Sequence, residues 1–169
     1  VNNPSLDELL EHLSDNAVFA DAAMPSVIAA LTDPDRLHAL YATGLLDSPP
    51  EAVYDRITRA AATALDVPHA ALSLIDVDRH FFKSKVGLGG VSAAEMQTPL
   101  ERSVCQYAVA NGTLLVLEDA RLDSVFKNHA AVRDGSVVAY LGIPLTDDKQ
   151  NAIGTLCVSD TKPRVWSSG

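Results

Sequence analysis

Leucines at 6, 9, 10 and 13 recur at helical spacing behind Ser5-Leu-Asp-Glu8, whose order is that of a capping box. The chain is therefore expected to open with a short amphipathic helix. Residues 14–25 carry no period, Met24-Pro25 marks a break, and Val27, Ile28 and Leu31 begin a second helical piece. Segment 1–33 reads as a helical extension, docked on the domain or on a second subunit, or as a linker. Asp33-Pro34 then supplies a cap and a first-turn proline for a helix carrying Leu37, Leu40 and Tyr41 and ended by Gly44. For the next helix Ser48 is the expected cap, with Pro50 just inside and Glu51 completing a second box. Val53, Ile57, Ala60, Ala61, Ala64 and Leu65 trace its apolar face.

From Ala70 the period falls to two. Ala70–Asp76 and His80–Val86 read as strands joined by a tight turn. In the second, Phe81, Lys83 and Lys85 alternate with Phe82, Ser84 and Val86, predicting one wet face and one packed face. Gly87–Gly90 breaks the strand and opens a loop running to about Pro99. A helix over 101–111 follows, apolar through Val104, Cys105, Ala108 and Val109. Leu114–Leu117 is a buried-strand candidate, and 118–129 a loop with one helical turn near Ser124–Asn128. Val137–Leu145 and Ala152–Ser159 pair across the polar Asp147–Asn151 tip. Pro144 lacks an amide donor and belongs at a strand edge or bulge, while Gly142 and Gly154 allow close backbone approach. The predicted fold is α/β of the α+β kind. A central antiparallel sheet of about five or six strands carries helices on one face, and loops and short helices cover the other.

Composition narrows the classes. The 169 residues suffice for one domain with a core, and 47% apolar against 21% charged residues is a globular balance. A net charge of −9 disfavours nucleic acid and anionic lipid as partners. No apolar run approaches the ~20 residues that cross a bilayer, and no basic-then-apolar leader opens the chain. Two cysteines, Cys105 and Cys157, are too few for a disulfide framework. The expectation is a cytoplasmic protein.

Six segments, in order, resemble one family. They are Arg36-Leu-His-Ala-Leu-Tyr-Ala-Thr-Gly-Leu-Leu-Asp47, Leu72-Ser-Leu-Ile-Asp76, Phe81-Phe-Lys-Ser-Lys-Val-Gly-Leu88, Ser103-Val-Cys-Gln-Tyr-Ala108, Glu118-Asp-Ala-Arg121 and Ile153-Gly-Thr-Leu-Cys-Val-Ser-Asp160. The chain resembles the GAF domains of bacterial sensor kinases, diguanylate cyclases and regulatory phosphatases. The resemblance implies a sensory domain over 34–165 that does no chemistry, binds a small molecule or relays a signal through its terminal helices, and forms a homodimer attached to an output domain. Lys162–Gly169 resembles the lead into a C-terminal helix, so 166–169 is expected to start such a helix or a linker, cut from a longer signalling protein. The alternative from another class is a ligand-free dimerisation or protein-interaction domain.

The residues offer little for catalysis. Cys105 matches a position used by GAF-fold reductases of free methionine sulfoxide. Their attacking thiol would fall near Ala130-Ala-Val132, where there is none, so Cys105 reads as core filler and Cys157 as an inert buried thiol. His129 lies where some gas sensors of the family place a haem ligand, yet an ordinary loop histidine has the same signature. His12, His38, His69 and His80 share no metal-ligand spacing with it. The cyclic-nucleotide and bilin signatures of the family are missing. Asp76 with Asp78, and Asp147 with Asp148, are accounted for by turn chemistry. No catalytic or metal residue is assigned. The candidate ligand pocket is Phe82, Ser84, Val104, Phe126, His129, Tyr140 and Thr155, and a collapsed core is its alternative.

Overall fold

The computed structural model describes residues 24–90, 92 and 94–167. The helix expected around Leu6–Leu13 lies outside them. The elements are α1 (Met24–Leu31), α2 (Pro34–Ala42), α3 (Ala52–Ala64), β1 (His69–Ile75), β2 (Arg79–Val86), β3 (Gln97–Pro99), α4 (Cys105–Asn111), β4 (Leu115–Leu117), α5 (Ala130–Arg133), β5 (Ala139–Thr146) and β6 (Ala152–Asp160). Single 3-10 turns at Leu100–Arg102, Ala120–Leu122 and Phe126–Asn128 fill the connections.

The strands form one antiparallel sheet in the order β3-β2-β1-β6-β5-β4. Both hairpins read from the sequence are present, and β1, at the centre, is buried from Ala70 to Ile75. Gly154 lets β6 run against β1, because a Cβ there would collide with the Ser73 carbonyl oxygen. Pro144 pairs with Thr155 of β6 but lies beyond the stretch of β5 that β4 covers, so its missing donor costs the sheet nothing.

α2 and α3 cover one face. Leu40 joins Leu74 and Phe81, and Ala62 joins Ala70 and Val158. The other face carries α4, α5 and the 3-10 turns, with Val27 and Leu31 of α1 buried in the same core as Val104, Tyr107 and Phe126. This is the expected layering, although the core already begins at α1. Arg36 ties the layers together. Its buried guanidinium donates to the carbonyl oxygens of Leu31 at 2.7 Å, Ile75 at 2.8 Å and Ala152 at 3.4 Å. Asp33 caps α2 by accepting from the Arg36 amide.

The structure corrects several local expectations. Ser48 does not cap α3: the cap position is Glu51, without a side-chain bond, and Ser48 instead accepts from Lys83 Nζ at 2.7 Å. Lys83 is not on a wet face but fully buried, its ammonium also meeting the Pro49 carbonyl at 2.7 Å and Glu51 at 2.6 Å. The cause is a bulge. Leu72 pairs with Ser84 and Ser73 with Phe82, so Lys83 is the extra residue and alternation reverses across it. The buried side of α3 is likewise not the apolar one. Thr58 and Ala62 face the sheet, with Thr58 Oγ1 2.8 Å from Ser84 Oγ, whereas Val53, Ile57 and Leu65 remain 46%, 41% and 38% exposed. A polar patch at the centre of β2 takes polar partners, and that turns the helix. The expected helix over 101–111 is a 3-10 turn followed by the shorter α4, and β3 forms where a loop was expected. Of the helix or linker expected over 166–169, only 166 and 167 are among the described residues. Trp166 Nε1 donates to Leu117 O at 3.0 Å, and Arg164 bridges Asp160 and the Asp66 carbonyl, which lays the segment along β4 and the end of α3.

Candidate functional site

The bulge at Lys83 decides which side chains reach the space between the sheet and α4. Across it, His80 and Phe82 on one side and Lys85 on the other share a face with Ala71 and Cys157, and Ser103, Val104 and Cys105 close over them. Loop residues around Leu88–Gly90 and Glu95–Thr98, with Arg102, Ala131, Val137 and Tyr140, complete a cavity of about 380 Å³. That volume falls in the range of small-molecule sites, roughly 300–1,000 Å³.

Polar groups enter this space at defined points. His80 is buried, its Nδ1 2.8 Å from Ser103 Oγ and its ring 4.3 Å from that of Phe82. Burial lowers its pKa to about 3, so the ring is neutral at ordinary pH. Its Nε2 is buried without a hydrogen-bond partner among the described residues. Gln106 steadies the turn that carries Ser103 by donating to Leu100 O at 2.7 Å and Ser103 O at 2.9 Å. Lys85 lies over Phe82, 5.1 Å from the ring centre, and donates to the carbonyls of Leu88 and Glu95 at 3.0 and 2.6 Å. Burial pushes its pKa down. At the exposed end Arg102 pairs with Asp134 at 2.6 Å, and hydrogen bonds from Ser136, then the Arg102 charge, hold Asp134 down to about 2.

Two sulfurs sit at the inner end. Cys105 Sγ and Cys157 Sγ are 3.6 Å apart, and Tyr140 Oη donates to Cys105 at 3.1 Å. The sulfur–sulfur contact lowers the Cys105 pKa to about 7 against the opposing effect of burial, whereas Cys157 and Tyr140 are pushed up.

Of the expected pocket residues, Phe82, Val104 and Tyr140 line the cavity. Ser84 does not. It points to the α3 side and donates to Asp55 Oδ1 at 2.6 Å. Phe126 and His129 pack on Tyr107 of α4, edge to face at 5.2 and 6.1 Å, rather than on the cavity. Thr155 is buried in β6 outside the lining. His129 is fully buried and caps α5, its Nδ1 accepting from the Ala131 amide at 3.2 Å. That position does not fit a haem ligand, which would have to reach the cavity. Among the described residues no group of three or more His, Cys, Asp and Glu is arranged to hold a metal ion. The aspartates of the turns keep to them: Asp76 accepts from Tyr41 and the Val77 amide, and Asp147 from the Lys149 and Asn151 amides.

Strict alternation along β2 sets His80 on the face of Phe82 but could not reveal Lys85 as a cavity residue, because the bulge is written only in the pairing. Arg102 and Ser103 sit in the 3-10 entrance to α4, which the sequence presents as ordinary helix. Cys157 reaches the cavity through its place opposite Ala71 in the β6–β1 register, on the face that meets α4, which no local signal gives.

Comparison with known proteins agrees with this architecture. The family model described as GAF domain matches residues 49–169. A cyclic di-GMP phosphodiesterase of Pseudomonas aeruginosa is 32% identical over 122 residues, which span 72% of this chain and 20% of that protein. The chain thus matches about a fifth of the length of that curated relative. The crystal structure of the GAF domain from an Acinetobacter phosphoenolpyruvate-protein phosphotransferase superposes with a TM-score of 0.55 at 17% identity, covering 79% of this chain and 80% of that one. A type II free methionine-R-sulfoxide reductase of Thermoplasma acidophilum gives 0.51 at 11% identity, covering 67% and 75%. At such identities the two structures speak for the fold alone. The order β3-β2-β1-β6-β5-β4, the layers on its two faces and the sequence match lead to one conclusion: the chain belongs to the GAF domain family.

Proposed function

We propose that this regulatory fold is the sensory module of a signal-transduction protein, and that it binds a small molecule between β2 and α4 without transforming it. The observation that carries the reading is the buried Nε2 of His80, a hydrogen-bonding function without a protein partner beside a cavity of about 380 Å³. A buried polar atom left so costs roughly 1–3 kcal/mol, which a ligand carrying a carbonyl, hydroxyl or ring nitrogen would recover. The apolar part of such a molecule would lie against Phe82 and Val104. Signal would pass because the ligand favours one packing of the cavity walls over another. A homodimer and an attached output domain belong to the same proposal. The phosphodiesterase relative supports a signalling context for the module, and cytoplasmic residence is part of it. Among the described residues no helix is long and apolar enough to cross a membrane.

A second reading has its own observation. The exposed Val53 and Ile57 on α3, with Leu65 just past its end, favour a protein-interaction domain that takes no ligand. The reductase reading is the weaker one, since Ala131 stands at the cavity where a thiol would be needed.

Native mass spectrometry of protein purified without additives, with an absorbance spectrum of the same sample, separates the readings. The sensory reading expects a stoichiometric extra mass, lost in His80→Leu. A bare mass that stays bare against a metabolite library favours the interaction domain.

A further inference from the structure

The proximity of two thiols at the inner end of the cavity is not used by ligand binding. Cys105 and Cys157 are the two free cysteines, one on α4 and one on β6, and their sulfurs stand 3.6 Å apart. Both residues are buried, at 3% and 7% exposure, and both line the cavity, which is therefore the route by which a small reagent would reach them. The surroundings are polar in an otherwise apolar core. Tyr140 Oη donates to Cys105 Sγ, and Ser73 and Thr155, paired across β1 and β6, hold buried hydroxyls with no partner among the described residues. Unmet donors are costly in a core. Around a sulfur anion they are an asset, and both hydroxyls lie close enough to bias Cys105 toward its thiolate.

We propose that Cys105 and Cys157 are a redox pair, oxidised by a small hydroperoxide entering the cavity to a disulfide that joins α4 to β6. The Cys105 thiolate attacks one peroxide oxygen, the O–O bond breaks, and the other oxygen leaves with the proton Cys105 had released. For hydrogen peroxide that product is water, and Cys105 becomes a sulfenic acid. The Cys157 sulfur then attacks Cys105, the S–O bond breaks, and the hydroxyl takes the Cys157 proton as a second water. Two thiols are oxidised and one peroxide is reduced. Cys105 is the attacking thiol because Tyr140 donates to it. Cys157, whose ionisation is opposed by its neighbour and by burial, is the resolving one. The sulfurs must close from 3.6 Å to about 2.05 Å, a covalent link between the two walls of the cavity. This inference does not depend on whether a ligand binds.

The test is oxidation of the native 169-residue chain with hydrogen peroxide, read by intact mass, thiol counting after denaturation and peptide mapping. The expected result is loss of both thiols together, a mass lower by about 2 Da, and a cross-linked peptide joining Cys105 to Cys157, all reversed by dithiothreitol. In Cys157→Ser, dimedone should trap Cys105 as a sulfenic acid, and the wild-type result stands by itself if that variant does not fold. Two persisting thiols, a sulfinic acid on Cys105 beside a free Cys157, disulfide-linked dimers, or a bridge that forms only in urea would each overturn the proposal.

Discussion

Single side chains here answer to neighbours that are distant in sequence. His129 was a candidate ligand because its place resembles that of a haem ligand in some gas sensors of the family. The fold instead uses it as the N-cap of α5 at zero exposure, with its pKa lowered to about 4, chiefly by burial. His80 is lowered to about 3 by the same cause. Both are neutral in the native state and titrate near 6.5 when unfolded. The unfolded chain therefore takes up protons first, and their contribution to stability is complete above about pH 6.5 and lost as pH falls through their native values. Urea titrations from pH 7 to 4 should show unfolding free energy falling by about 1.4 kcal/mol per pH unit for each fully titrating histidine. His129→Asn keeps a capping side chain and should remove about one such increment from the slope. An unchanged slope would show that His129 is not buried neutral. The same residue shows the limit of the sequence. Its chemistry was plain, but whether a loop histidine faces a cavity or caps a buried turn depends on Tyr107, far along the chain.

At the scale of elements, every strand but β3 and most helices were legible because period and turn residues agreed. Asp33-Pro34 starts α2, Asp147 closes the last hairpin, and Pro144 lies where no partner asks for its amide. What failed was orientation. One extra residue at Lys83 reverses the faces of β2 beyond it, so Ser84 leaves the predicted pocket and Lys85 enters it. The apolar stripe of α3 was equally visible, yet burial follows the hydroxyl and carboxylate that answer Ser84. Arg36 supplies a test of how the elements are joined. Its guanidinium meets carbonyls from the end of α1, the end of β1 and the start of β6. Arg36→Ala should lower stability by about 3 kcal/mol in urea unfolding, because buried acceptors lose a charged donor. A loss under about 1 kcal/mol, the range of surface contacts, would mean that these carbonyls find other partners and that Arg36 is not the tie.

For the whole molecule, the sequence carried the family and the layering; of the seven residues expected at a pocket, Phe82, Val104 and Tyr140 line the cavity, while Ser84, Phe126, His129 and Thr155 do not. The space itself arises from a bulge, a 3-10 turn and the juxtaposition of two sulfurs, none of which has a local signature. On the two proposals made above, its shape would give the molecule two inputs that do not require each other, a ligand at His80 and an oxidant at Cys105. The central claim is that this space holds a ligand, and the most direct measurement is the crystal structure of the protein as purified, read at the cavity between Phe82 and Val104. The account predicts ordered density that is neither protein nor solvent, with an atom about 2.7–3.2 Å from His80 Nε2. Phe82 and Val104 in van der Waals contact, with His80 Nε2 satisfied by a protein group, would contradict it.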